Sequence, residues 1–369
     1  MSNVWGAGPT VEAAISQLSK ELSDRSCDVR EAAEDRIRQL SGEISQETAE
    51  GFEATVSGSE HELALRTLLL CYYFLNRRES EHTTKARQRH ILWIIQYAPE
   101  SKIAGRPYSY LIEPDDQEAY LIGKTLWLKQ VDSHPENTRI LGNAAKFCWL
   151  IDWHISEDLL SRASRLEPNN GDWHKQLGNL YSLRGRAESA PSEIYLEKGF
   201  REYQIAAQLE SNIDEDCEDD LPFQHILALI QLATSAFGAK HFEEARRYAT
   251  ELLECIAPFD ASMHTFPVGN AIHHGNLVLG RLALLDGDVE RAKRCLLAAG
   301  RTPGSPQLDS FGPNMALAKE LLERNEHSVV IEYFELCKKF WKLHSGRLEE
   351  WTNEVKAGSI PDFGSHLAY

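Results

Sequence analysis

Basic residues are too few in this chain to balance its acids: 39 Lys and Arg stand against 56 Asp and Glu, a formal net charge of −17 over 369 residues. Nucleic-acid recognition needs a basic face that releases counterions from phosphates, and an anionic membrane surface makes the same demand, so neither is an expected partner. Long apolar runs are also missing. Even a run such as residues 68–75 falls well short of the roughly 20 residues that a membrane-crossing helix needs. Residues 1–10 lack the basic start and apolar stretch of a secretory signal, so a cytoplasmic protein is expected. The seven cysteines (Cys27, Cys71, Cys148, Cys217, Cys255, Cys295 and Cys337) are odd in number and never spaced Cys-x-x-Cys. That spacing excludes a disulfide framework and a zinc ribbon, and reduced, buried thiols are expected instead. Gly-rich phosphate cradles, a nucleophile elbow and His-Glu-x-x-His are absent, so no cofactor or metal is expected. The acidic run 214–220 is not a calcium loop, because its sixth position is Asp219 and its twelfth His225; it reads as a solvated linker.

Helical periodicity fills what remains, and no stretch alternates apolar and polar residues long enough for a strand. The pattern predicts helices over 10–22, 28–40, 45–56, 63–75, 83–97, 117–131, 136–149, 157–166, 172–183, 194–209, 223–237, 242–256, 271–285, 289–299, 314–324, 328–343 and 347–355. Gly and Pro gather between these segments, most densely in 104–114, 301–315 and the tail from 360 to 369. A single compact core stops growing near ~250–300 residues. A stacked array escapes that limit because each unit touches only its neighbours.

One small pattern recurs: Leu141-Gly142, Leu177-Gly178-x-x-Tyr181 and Leu279-Gly280-x-x-Ala283, the last continuing through Gly287 to Ala292, Leu296 and Ala299. Its spacing resembles the tetratricopeptide (TPR) repeat, a helical hairpin of about 34 residues. Gly sits where two helices cross closely, Ala where the second helix approaches, and Pro ends the unit. Glu243-Glu244-Ala245 looks like the start of another second helix. The chain departs from the pattern at several points. Trp173 lies four residues before Leu177 rather than three, Ala283 replaces a Tyr, and the 172 unit carries an insertion. The likeness covers roughly 118 to 300, and residues 84–369 are similar to uncharacterised bacterial TPR proteins. One hairpin, Leu166 to Trp173, also resembles the protein prenyltransferase alpha subunit, although the Leu-Gly-x-x-Tyr that follows favours TPR.

The resemblance implies an all-α, right-handed superhelix of antiparallel hairpins. Residues 1–58 would form an N-terminal helical segment or cap. The array would run over 59–300 with an acidic break near 214–220, and 301–369 would supply a loop, capping helices and an irregular tail. In TPR domains the first helices line a concave groove, and some members hold a carboxylate there with a cation and an Asn. The matching residues are Arg139 with Asn143 and Lys175 with Asn179, supplemented by Lys146 and His174. The next two units put Ile230 and Leu277 at the cation position, so the arrangement is not repeated. A peptide or extended partner segment, held through a carboxylate, is therefore the expected ligand.

Two further groups stand out. His264, His273 and His274 lie within eleven residues with Asn276 nearby. His273 and His274 point about 100° apart on a helix, which disfavours a shared metal and suggests groove-lining or internally satisfied rings. The 301–315 loop carries an exposed-looking Phe311, and Asn314 is placed to cap the helix that follows. These residues together define the alternative, an enzyme pocket on a helical-repeat scaffold. Tyr108 and Tyr110 sit in the 104–114 loop, where aromatics can anchor a peptide. A third reading is a self-associating scaffold that uses the N-terminal helices as a seam.

Overall fold

The computed structural model describes residues 11–22, 24, 26–77, 80–186, 192–210, 221–259 and 267–367. The acidic run 214–220 and His264 lie outside them. Eighteen α-helices and a few 3-10 turns make up the secondary structure, with no strand among the described residues. The helices pack as sequence neighbours, and the chain divides into two compact units, Met1–Pro168 and Asn169–Tyr369.

The first unit holds α1 (Val11–Leu22), α2 (Cys27–Ser41), α3 (Gln46–Thr55), α4 (Glu62–Leu75), α5 (Glu81–Tyr97), α6 (Gln117–Ser133), α7 (Thr138–Cys148) and α8 (Trp153–Leu166). Local chemistry sets several of the starts. Ser45 accepts from the Thr48 N–H, Ser80 and Thr83 form a reciprocal capping box, and Asn137 accepts from the Ile140 N–H, each satisfying a donor the first turn leaves open. The N-terminal helices pack against α4. Ile15, Leu18, Ile37, Ala49 and Val56 share one core with Leu65, Leu68, Leu69 and Tyr73 of α4. These apolar residues are therefore covered inside this unit.

The segment expected as the 104–114 loop is a chain of 3-10 turns, Lys102–Gly105, Pro107–Ser109 and Pro114–Asp116. A buried ion pair pins it. Arg87 of α5 is bonded to Asp116, also donates to the Tyr110 carbonyl at 2.9 Å, and is joined by Gln88, which donates to Asp116 at 2.8 Å.

The second unit holds α9 (Gly171–Gly185), α10 (Glu193–Glu210), α11 (Leu221–Gly238), α12 (Phe242–Ile256), α13 (Val268–Leu285) and α14 (Val289–Gly300). It continues through α15 (Pro306–Phe311), α16 (Ala316–Leu322), α17 (His327–Cys337) and α18 (Arg347–Lys356). Helices α9/α10, α11/α12 and α13/α14 form hairpins, each hairpin packs on the next, and α11 also packs directly on α13. The Leu-Gly glycines lie at close crossings. A Cβ on Gly178 would meet the Tyr203 ring of α10 at 2.8 Å, and one on Gly280 would meet Leu317 at 2.4 Å and the Cys295 Cβ at 3.0 Å. Ala245, Ala249, Ala292 and Ala299 of the second helices are fully buried, as small residues must be where helix axes approach.

Beyond α14, the expected 301–315 loop contains α15, because Ser305 accepts from the Leu308 N–H and Pro306 occupies the first turn. The tail folds back onto the last helices. Phe363 and His366 are buried against Trp351, His366 also lies on Trp341, and the His366 carbonyl accepts from the Met315 N–H at 2.8 Å. No described helix is long and apolar enough to cross a membrane. Five described cysteines are unpaired, and burial pushes the Cys71 thiol up to about 12 and Cys148 to about 11.

Candidate functional site

The residues matched to the carboxylate-holding pattern are drawn from both units. On α7 of the first unit, Arg139 is exposed and Lys146 is half-buried. Asn143 is buried, and its Nδ2 donates to the carbonyls of Pro99 at 2.8 Å and Ser101 at 3.0 Å. Its amide thus holds the start of the 3-10 segment against α7, a task that competes with reading a ligand. On α9 of the second unit, Lys175 is ion-paired with Glu210 and Asp172, His174 bonds to Glu202 at 2.7 Å, and the Asn179 oxygen accepts from the Tyr203 hydroxyl at 2.8 Å. These three side chains tie α9 to α10 or, through Asp172, to its own first turn.

The histidine group separates into different roles. His273 is fully buried with both ring nitrogens engaged: Nε2 accepts from the Asn314 N–H at 3.1 Å, so Nδ1 is the protonated nitrogen and donates to the Ala299 carbonyl at 3.4 Å. Burial, with the neighbouring His274 adding to it, holds His273 down to about 3, so it is neutral at physiological pH. Asn276 bonds back to the Ile272 carbonyl within its own helix, and Phe311 is 69% exposed at the end of α15. His273, His274 and Asn314 come together, while Phe311 remains on the surface. Among the described residues no group of His, Cys, Asp or Glu is arranged to hold a metal ion.

His274 points to a feature that sequence reasoning missed. A cavity of about 80 Å³ is lined by Arg186 just past α9, Thr234 and Phe237 of α11, His274 and Arg281 of α13, and Asn314. Its helical walls come from α11 and α13, the first helices of their hairpins, with Arg186 at the end of a third. Among the described residues, three of its lining side chains are basic and none is acidic, in a chain of strongly negative charge. Burial first, then the Arg186 charge, pushes His274 down to about 4, and burial together with Arg281 lowers Arg186. Arg281 lies over the Phe237 ring at 4.3 Å, and its Nε and Nη2 meet Glu320 at 2.8 and 2.6 Å. No spacing rule points to Arg186 or Arg281, because a helix end and a mid-helix cation meet only through hairpin stacking.

The first unit has a cavity of its own, about 350 Å³, walled by Glu34, Arg38, Phe74, Arg106 and Tyr108. Burial raises Glu34 to about 7, although its carboxylate accepts from the Lys102 N–H at 3.0 Å. Tyr108 packs edge-on against Phe74, so this loop aromatic is a wall of the cavity.

Compared with known proteins, the chain matches no protein-family model, and no curated protein is significantly similar to it. The functional reading therefore stands on the geometry of the two units.

Proposed function

We propose that this chain is a partner-binding protein of the TPR-like kind: a right-handed superhelix of hairpins, working in the cytoplasm, that holds an extended segment of another protein along the face made by its first helices. The observation that supports it best is the packing of α11 directly on α13. First helices in contact with one another make a continuous face with the second helices behind, and a stacked array presents such a face to ligands. The basic cavity opens among these same first helices. Lys175 of α9 and, within the first unit by itself, Arg139 of α7 are the cations that the repeat pattern assigns to a partner carboxylate. The enzyme alternative is weakened at His273, where both ring nitrogens are already engaged, so proton transfer would require breaking a buried bond.

Affinity purification with mass spectrometry tests the reading. The comparison is between the native chain and a double variant, Arg139→Glu with Lys175→Met. Methionine removes the Lys175 charge without setting a second carboxylate against Glu210. The reading expects at least a ten-fold loss of the captured partner, and unchanged recovery from a folded variant would sink it.

A further inference from the structure

We propose that the cavity of the first unit, walled by Glu34, Phe74, Ile103, Arg106 and Tyr108, binds a small zwitterion, an α-amino acid with an apolar side chain. The site lies wholly within that unit and stands independently of the partner-binding reading.

Side chains of α2, the end of α4 and the 3-10 segment line about 350 Å³. That volume is near the lower end of the ~300–1,000 Å³ of small-ligand pockets, the scale of one amino acid rather than a peptide. The wall made by the 3-10 segment is held in place from behind. The Ser109 hydroxyl donates to the Ile103 carbonyl at 2.7 Å, and Asn143 grips the carbonyls of Pro99 and Ser101. A site built in advance spends little binding energy on ordering itself.

Charge decides the ligand class. Asp35 and Arg38, both on α2, pair with each other at 3.5 Å, which leaves one acid and one base on the cavity wall. Glu34 accepts from the Lys102 N–H at 3.0 Å, and no ion pair holds it among the described residues. Arg106 is exposed at the rim, and its charge reaches Glu34 without an ion pair between them. Phe74, Ile103, Pro107 and Tyr108 give the same cavity its apolar surface. An α-amino acid matches all three features, with an ammonium for Glu34, a carboxylate for Arg106 and an apolar body for these walls. A simple amine or a simple acid satisfies only one of the two charges. Burial raises Glu34 to about 7, outweighing the Ile103 and Lys102 N–H groups and the charges of Arg106 and Lys102. An arriving ammonium stabilises the carboxylate, so the Glu34 proton passes to the buffer.

Isothermal titration calorimetry of the full-length chain with L-phenylalanine and L-leucine at pH 6.5 tests the site. At least one should bind saturably. Its counterparts lacking the ammonium or the carboxylate should each bind at least ten-fold more weakly. Binding should release protons, read as a heat that varies with the ionisation enthalpy of the buffer. Asp35, Arg38, Lys102, Arg106, Tyr108 and Cys71 are the other ionisable groups around Glu34, and Glu34→Gln separates its proton from theirs. That variant keeps an acceptor for the Lys102 N–H. It should lose the proton release and weaken the amino acid at least ten-fold, while leaving the acid counterpart nearly unchanged. Arg106→Met should weaken the amino acid and the acid counterpart alike. No saturable binding of either amino acid overturns the proposal. So does a counterpart that binds as tightly as its parent, proton release that persists in Glu34→Gln, or full affinity in both folded variants.

Discussion

Replacing Gly178 with alanine asks whether a Leu-Gly pair marks a true helix crossing. The new Cβ would lie 2.8 Å from Cδ1 and Cε1 of Tyr203 and 3.0 Å from its Cζ. That ring cannot swing aside freely, because it is buried and its hydroxyl is held by Asn179. Overpacking of this kind costs about 1–3 kcal/mol. Against it stands the gain from replacing Gly by Ala in a helix, up to about 1 kcal/mol. Gly238→Ala in the same unit gains from the second effect without the first, since its nearest neighbour is Leu196 Cδ2 at 3.6 Å. The difference between the two variants therefore isolates the crossing, and Gly178→Ala should be the less stable by about 1–3 kcal/mol. Urea unfolding of the full chain, followed by far-ultraviolet circular dichroism with slopes compared, measures it. If Gly178→Ala equals or exceeds Gly238→Ala in stability, α9 and α10 do not approach as described, and the Leu-Gly pattern loses its physical meaning.

Other perturbations follow from the buried charges. Asp116→Ala leaves the Arg87 guanidinium buried without its carboxylate and should cost about 3–5 kcal/mol, read as a drop in urea midpoint; a loss below about 1 kcal/mol would show that the pair is solvated. His273 and His274 are held down to about 3 and about 4 in the folded chain, below an unfolded value near ~6.5. The stability they contribute is full above that pH and declines as pH falls through it, because the unfolded chain then binds more protons. Unfolding midpoints between pH 7.5 and 5 should show this decline, and His274→Gln should flatten it; an unaltered slope contradicts the burial. Glu34 behaves in the opposite sense. Its folded value near 7 lies above the ordinary 4.5, so it weakens the fold increasingly as pH rises from 4.5 through 7. Glu34→Gln keeps an acceptor for the Lys102 N–H and should match the native chain near pH 4.5, yet melt higher at pH 8 by the equivalent of ~1–3 kcal/mol. Equal melting at pH 8 would refute it.

The helices were legible because their signals are local. Periodic apolar residues, with caps such as Ser80 and Asn137, place α5 and α7 within a few residues of where they lie. The Leu-Gly pairs were legible for the same reason, since close crossings exclude a side chain at Gly178 and Gly280. The 301–315 segment was read as a loop on Gly and Pro content, and the docking of the irregular tail was not legible, because such content describes backbone preference and not tertiary docking. Phe363 and His366 are fixed by Trp341 and Trp351, partners that a local window does not contain. The site was least legible. Asn143 carries the residue type for gripping a ligand, but it grips Pro99 and Ser101. Arg186, Arg281 and Asn314 span well over a hundred residues, and only packing of successive hairpins brings them to one cavity.

Site-specific photo-crosslinking to the captured partner tests the central claim most directly. A photoreactive residue would replace Lys175 of α9 or Thr234 of α11 on first helices, and Glu251 of α12 or Glu290 of α14 on second helices. The account predicts crosslinks from Lys175 and Thr234 and none from Glu251 or Glu290. Crosslinks confined to the second-helix positions would contradict it, because the partner would then lie on the opposite face.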